Sequence, residues 1–250
     1  MKTVKKALAV LDSFTPDIQS QGVTEIASKL SMPKSTIHAL LATLREEGYI
    51  VYDPLVKKYS LGFKPLELAG RIRSNRDLRD LSLPMMKELS STCEEDVALN
   101  ILVEGRRVCI ALVESRYFVR QFVPIGKALP LHCSAAGKIL MAYLPRREID
   151  VIIKRHGLPR FTPNTITDKK KLMEELHTVT RRGYAESREE YGKDAAALAF
   201  PIFNGKGHNV ASLSIQSTVN RLTEKTRKAL VSEGLRASKK ISGLLSEAIV

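Results

Sequence analysis

Apolar residues recur at near-helical spacing near the start of the chain (Val4, Leu8, Val10, Leu11 and Phe14), and the pattern stops at Pro16 and the polar stretch DIQSQG. That spacing predicts a first helix. Val23 and Thr24 open VTEIASKL, where Thr24 is suited to cap the following amides and Ile26, Ala27 and Leu30 form a short apolar face, so a second helix of two turns is expected. After a turn at Ser31 and Met32, Pro33 suits the first turn of a third helix. Ile37, Leu40, Leu41 and Leu44 supply its i, i+3, i+4, i+7 stripe, which leaves Lys34, Ser35, Thr36, His38 and Arg45 facing outward. Gly48 ends it, and two β-rich runs follow, Tyr49 to Tyr52 and Lys58 to Leu61, joined by a turn at Asp53 and Pro54. Helix spacing alone fits an ordinary three-helix cluster as well as a helix-turn-helix. The β-hairpin tips the balance toward a winged helix-turn-helix, with the third helix in a major groove and Lys57 and Lys58 where a wing meets phosphates.

Beyond the hairpin, Leu66, Leu68, Ala69, Ile72, Leu78, Leu81, Met85, Met86 and Leu89 predict helices broken at the polar RSNRD and at Pro84, which places a domain boundary near Arg73 to Asn75. The runs VALNILVEG, RRVCIALVES and YFVRQFVP then predict an antiparallel sheet, with Arg106, Arg107, Arg116 and Arg120 at solvated edges or turns. From Pro130 to Lys138 small residues precede an apolar helical run that opens at Ile139. Two readings stand: amides at a helix start facing an anionic ligand such as a small carboxylate, or small residues that let the helix pack tightly on the sheet. Residues 221–250 read as one long amphipathic helix, interrupted at Gly234, that covers the sheet or packs on a second subunit.

Charge changes this picture only partly. Lys and Arg number 40 against 27 Asp and Glu, a formal net charge of +13 that points to a polyanionic partner, nucleic acid ahead of an anionic membrane. The excess is not gathered in the helix-turn-helix region, so pattern rather than net charge locates the DNA site. No apolar run reaches the roughly 18 residues a membrane span requires, and the N-terminus carries no small-residue cleavage signature; a cytoplasmic protein with no membrane partner is expected. Cys93, Cys109 and Cys133 contain no CxxC pair, which argues against a disulfide framework or a cysteine-rich zinc site. His132 beside Cys133 invites a nucleophile reading, but neighbours on an extended segment point to opposite faces and no motif places an orienting carboxylate. His156, His177 and His208 read as isolated surface residues. No catalytic residue, metal ligand or cofactor is expected, and the protein reads as a non-enzyme. A cysteine-dependent enzyme with an accessory DNA-binding domain and a non-sensory architectural DNA-binding protein are the alternatives.

The segments VTEIASKL, PKSTIHALLATLREEGYI and KYSLG, followed by IGKALPLHCSAAGKILMAYL, FTPNTITDKKKLMEEL, RRGYAESREEY and AFPIFNGKGHNVASLSIQSTVNRLT, resemble in order the IclR family of bacterial transcriptional regulators. The resemblance implies an α+β chain: a winged helix-turn-helix (residues 1–64), a linker helix (65–80), and a GAF/PAS-like α/β domain for effector binding and oligomerisation (81–250). It implies a homodimer or dimer of dimers on near-palindromic double-stranded DNA, with operator binding modulated by a small-molecule effector, a small carboxylate or aromatic acid. Lys34, Ser35, Thr36, His38, Lys57 and Lys58 carry over as DNA contacts, and Leu129, Ala135, Ala136, Ser187, Ala197, Ser214 and Gln216 as effector contacts. This chain departs from the family pattern at Ala39, where many members have arginine. It departs again at Ser187, Ala197 and Gln216, where members carry Asp, Cys and Ser. An alanine offers a base only apolar contact, such as to a thymine methyl, and the loss of a bidentate arginine removes about 1–3 kcal/mol of base discrimination.

Overall fold

The first helix, α1 (Lys2–Asp12), turns Ala7, Val10 and Leu11 toward the other helices, Phe14 just beyond its end packs with them, and Val4 and Leu8 are exposed. Of the expected apolar face, Val10, Leu11 and Phe14 pack inward and Val4 and Leu8 do not; Ala7 completes the i, i+3, i+4, i+7 set with them. The structure is a computed structural model that describes residues 2–15, 18–71, 76–117 and 124–247, and the chain divides into two compact units, Met1–Ser74 and Asn75–Val250. Pro16, Arg73 to Asn75 and Arg120 lie outside the described residues, as do most of the third expected strand and the end of the last helix.

In the first unit, α2 (Val23–Leu30) is capped by Gly22 and Glu25 rather than by Thr24: the Glu25 carboxylate accepts the Gly22 amide at 2.7 Å, because Thr24 already lies within the first turn. The helix closes on Ser31, which takes a left-handed conformation while the Ser31 and Met32 amides donate back to the carbonyls of Ser28 and Ala27. α3 (Lys34–Glu46) follows with Ile37, Leu40, Leu41 and Leu44 buried against Val10, Phe14, Ile26 and Ile50. Pro33 stands just ahead of this helix, at the N-cap. The hairpin pairs β2 (Ile50–Asp53) with β3 (Lys58–Leu61), from Ile50 opposite Leu61 to Asp53 opposite Lys58. An unanticipated two-residue strand, β1 (Ser20–Gln21), pairs with the outer edge of β3. Its Gln21 is buried and donates to the carbonyl and hydroxyl of Ser13, which ties the end of α1 to the sheet. The unit closes with α4 (Lys64–Gly70).

The second unit opens with α5 (Arg76–Cys93), which runs through Pro84 without a break. Proline removes one helical donor, but Leu78, Met86 and Leu89 on the same helix are buried in the core, and that packing holds the helix across the defect. Of the expected linker helix, α4 covers the first part and α5 starts at Arg76; residues 72–75 are not described. Among the described residues the sheet has six antiparallel strands in the order β6-β5-β4-β9-β8-β7, where β4 is Asp96–Val103, β5 Arg106–Val113, β6 Ala128–Leu129, β7 Ala185–Arg188, β8 Ala195–Phe203 and β9 Asn209–Thr218. One face carries Val97, Leu99, Ile101, Leu198, Phe200, Leu213 and Ile215 against α5 and the terminal helix α9 (Glu224–Glu247). α9 continues through Gly234 because the Phe200 ring lies against that position; a Cβ there would stand 2.0 Å from the ring. The expected interruption is instead a point of close approach.

The opposite face is covered by α6 (Ala135–Ala142), with α7 (Arg146–His156) and α8 (Lys169–Arg182) outside it. Strand parity places Ala98, Asn100, Ser212, Ser214, Gln216, Ala197 and Ala199 on this face. In register, Gln216 lies opposite Ala197 and Ala197 opposite Ser187, so these three cross the sheet as one row. A bulge where β5 passes Leu99 and Asn100 puts Cys109 opposite Asn100 and Ala111 opposite Leu99, so Arg107 and Cys109 share the α6 face while Ala111 joins the other core.

Candidate nucleic-acid interface and effector site

In the first unit, Lys34, Ser35, His38, Ala39 and Arg45 are exposed and Thr36 is half-buried. No side chain caps α3 at Pro33, so the amides at its start are available to a phosphate oxygen, the arrangement that holds anions at helix N-termini. The left-handed turn at Ser31 fixes how α2 hands the chain to α3, and the apolar stripe of α3 fixes its rotation. Together they present Lys34, Ser35 and His38 on the outer side. Ala39 is exposed beside His38, where it offers a methyl group and no hydrogen bond.

The two wing lysines differ. Lys57 is exposed at positive φ in the turn of the hairpin, where the Asp53 carboxylate accepts the Leu55 amide at 2.8 Å. Lys58 reaches back to α2 and pairs with Glu25 at 3.3 Å. The Gly22 amide and then Lys58 hold the Glu25 carboxyl below the usual range. Lys57 is therefore the wing cation free to meet a phosphate, and Lys58 is shared with a carboxylate.

In the second unit all seven effector positions inferred from sequence are buried: Leu129, Ala135, Ala136, Ser187, Ala197, Ser214 and Gln216. Alanines at 197 and 199 on the sheet face Ala135 and Ala136 at the start of α6. The polar groups among them form a chain. The Asn100 and Gln216 amides both donate to the Ser214 hydroxyl, at 3.0 and 2.9 Å, and Ser214 donates on to the Ala98 carbonyl at 3.2 Å. Asn100 in turn accepts Arg107 at 2.9 Å. Arg107 is expected at a solvated strand edge; it is 7% exposed, because it shares the parity of Cys109 and lies on the face covered by α6. Arg106 next to it is half-buried and Arg116 exposed.

The start of α6 combines the two readings of its small residues. Ser134 caps it by accepting the Gly137 amide at 3.1 Å, so one of the end donors is already used. Gly137 lies so close to the Leu131 carbonyl that a Cβ would come within 2.0 Å of its oxygen, a packing constraint. Ala135 and Ala136 line the face that carries the polar chain. Lys138 is 2% exposed on its side chain and pairs with Glu190 at 2.7 Å and Glu175 at 3.3 Å. This buried trio was not legible as a pattern, since its members lie far apart in sequence.

The chemistry around Cys133 runs against nucleophilic catalysis. Burial pushes its thiol up to about 12, whereas a nucleophile needs a thiolate at neutral pH. His132 turns away to hydrogen-bond the Pro159 carbonyl at 3.0 Å, and burial pulls its imidazole below the ordinary value. A cavity of about 90 Å³ beyond His132, lined by Gly105, Leu131, Pro159 and Phe161 among others, does not include the inferred effector positions. Of the other histidines, His177 and His208 are exposed, and half-buried His156 bonds the Glu104 carbonyl. No helix among the described residues is long and apolar enough to cross a membrane.

Comparison with known proteins agrees with both halves of this geometry. The family model of the IclR helix-turn-helix domain matches residues 3–54, and that of the bacterial transcriptional regulator IclR C-terminal region matches residues 71–243. The HTH-type transcriptional regulator KdgR of Escherichia coli K12 is 32% identical over 242 residues, covering 97% of this chain and 92% of KdgR. The crystal structure of Thermotoga maritima IclR aligns with a TM-score of 0.81 at 28% identity, over 98% of this chain and 99% of that one. An IclR homologue from Microbacterium hydrocarbonoxydans, crystallised with 4-hydroxybenzoate, aligns at 0.84 and 25% identity over 97% and 98% of the two chains. A uniform fold match, two family models that divide the chain between them and an outward-facing α3 lead to one conclusion: this chain belongs to the IclR family of DNA-binding bacterial transcriptional regulators, with a helix-turn-helix domain followed by an effector-binding domain.

Proposed function

We propose that the protein acts in the cytoplasm as a homodimer or dimer of dimers that reads a near-palindromic operator with paired α3 helices and releases or reshapes that contact when a small organic acid occupies the second unit. The observation that carries this reading is the exposed N-terminal edge of α3, with Lys34, Ser35 and His38 presented by an uncapped helix start beside a wing that ends in Lys57. Thr36 and Arg45 complete the contact set. Leu129, Ala135, Ala136, Ser187, Ala197, Ser214 and Gln216 line the effector site in this proposal. Paired recognition helices require half-sites about one helical turn apart, so the operator is symmetric. An effector shifts the equilibrium only as far as it binds two arrangements unequally, and a coupling of about 1–3 kcal/mol corresponds to roughly 5–150-fold in operator affinity. Residues 65–80 transmit the change in this scheme.

Selection of bound sequences from a random DNA pool by the full chain, followed by footprinting, tests the proposal: a two-fold symmetric site is expected. Undiminished binding after deletion of residues 1–64 would refute it. Lys57→Ala should weaken binding on all sequences and lower the slope of log K against log salt by about one, the signature of one lost phosphate contact. Lys58→Ala should change the slope less, because Glu25 already shares that charge. Equal slopes for the two variants would refute the different assignments of the wing lysines.

A further inference from the structure

Arg107 presents an electrostatic problem that the protein alone does not solve. The side chain is 7% exposed, and among the described residues no carboxylate lies within ion-pairing distance of it. One terminal nitrogen donates to Asn100 at 2.9 Å, while the Nε–H is buried without any acceptor. The ionisable groups near enough to act on it are the thiols of Cys109 and Cys133, which burial pushes up to about 11 and about 12, and the phenol of Tyr191; none of them is a carboxylate. A guanidinium keeps its charge in a protein, so burial without an anion is costly. Among the described residues, the other deeply buried cation of this unit, Lys138, is matched by two carboxylates. Ser212, on β9 opposite Asn100, also has a buried hydroxyl with no partner.

The position of Arg107 connects it to the effector region. In register it lies opposite Leu129, and through Asn100 it joins the hydrogen-bond chain that ends at Ser214 and Gln216. The seven inferred effector positions carry only neutral side chains, so none of them balances an anionic ligand. We propose that Arg107 is the anion receptor of the sensor, and that its guanidinium takes the charge of the effector's carboxylate through its free Nε–H. A planar guanidinium offers a carboxylate two parallel donors, and such charge-assisted pairs are the strong ones. This inference rests on the effector-sensing reading above and names the residue that meets the effector's charge at that same site.

Acetate, the minimal carboxylate probe, tests it with the full chain and two variants. Thermal melting in sodium acetate is compared with sodium chloride at equal ionic strength, the affinity of each protein is taken from the acetate dependence of its melting temperature, and the Arg107 Nε–H resonance, identified by its absence in Arg107→Met, is followed in the unaltered protein. Acetate should raise the melting temperature of the unaltered protein above that in chloride and shift the resonance. Arg107→Met should bind acetate at least about 30-fold more weakly and lose the acetate-specific rise. Its melting temperature in chloride should be no lower than that of the parent, since it removes an unmatched buried charge. Asn100→Asp supplies an internal carboxylate to Arg107; it should melt higher than the parent and no longer respond to acetate. An acetate response that persists in both variants overturns the proposal, as does no response in the unaltered protein. A fall in the melting temperature of Arg107→Met together with a retained response marks a structural arginine. Operator binding measured in parallel separates the two readings: loss of the Arg107 inference leaves operator recognition intact, and failure of the regulatory reading removes it.

Discussion

Gly137→Ala is expected to destabilise the second unit by about 2–3 kcal/mol, although alanine in a helix interior ordinarily gains about 1 kcal/mol over glycine. The reversal has a steric cause. A Cβ at position 137 would stand 2.0 Å from the Leu131 carbonyl oxygen and 2.6 Å from the Leu131 Cα. Carbon and oxygen approach to about 3.3 Å even in favourable Cα–H contacts. Because the obstructing atoms are backbone, no side-chain rotation relieves the clash; α6 must move off the segment that leads into it. For a unit of this size the loss corresponds to a melting temperature lower by about 5–10 °C. Gly243→Ala is the control: a Cβ there meets nothing within 4 Å in α9, so that change should be neutral or stabilising. Chemical denaturation of both variants checks the pair, and equal stabilities would show that the packing at Leu131 does not matter.

Lys138→Met should cost more. Methionine preserves much of the volume of lysine but removes the ammonium that lies 2.7 Å from Glu190 and 3.3 Å from Glu175. Glu175 keeps a second partner, Arg182 at 3.2 Å, whereas Glu190 is left with a buried carboxylate and an Oε2 that already lacks a hydrogen bond. Breaking a buried pair from one side costs about 3–5 kcal/mol at neutral pH. The pH dependence has a definite sign. Burial raises the Glu190 pKa above its ordinary value even with Lys138 present, so the folded state holds this proton to higher pH than the unfolded chain does. Stability therefore falls as pH rises from the ordinary carboxylate range through the raised value, and is flat above it. Removal of Lys138 raises the folded value further and extends that window upward. The deficit of Lys138→Met relative to the parent should be greatest at neutral pH and shrink toward acid, where both states are protonated. Adding Glu190→Gln to Lys138→Met should restore much of the loss at neutral pH. A deficit independent of pH, or no rescue, would assign it to packing rather than charge.

Local features of this protein were readable in proportion to how few distant residues they involve. The stripe Ile37, Leu40, Leu41 and Leu44 and the hairpin around Asp53 need only a helical or strand period and a turn, and both emerge as expected. The face of α1 emerged only in part: Val10, Leu11 and Phe14 turn inward as expected, whereas Val4 and Leu8 fit a helical stripe as well as Ala7 does, and only the packing of the unit decides between them. Pro84 and Gly234 signal helix ends by propensity, yet the packing of α5 and the ring of Phe200 override them. The alternation in RRVCIALV put Arg107 in step with Cys109, a usable hint of burial that adjacent Arg106 obscured. What no local pattern contains is the bulge that re-aims β5, or the meeting of Lys138 with Glu175 and Glu190 across two connections. The effector positions were legible through family resemblance, because small residues on a sheet face carry no periodic mark of a site.

The central pairing of the sheet joins β4 to β9, with Asp96 opposite Gln216 and Asn100 opposite Ser212. This contact spans nearly half the chain, so it governs the order in which the protein is made. The first unit is closed by contacts among neighbouring helices and a tight hairpin, and such short loops form early and fast. The second unit keeps β4 without its central neighbour until β9 has left the ribosome, and the apolar strands wait as open edges for that interval. Synthesis therefore yields a folded DNA reader well before a folded sensor. A message or chain cut short of residue 209 is expected to leave the reader without the sheet on which regulation depends.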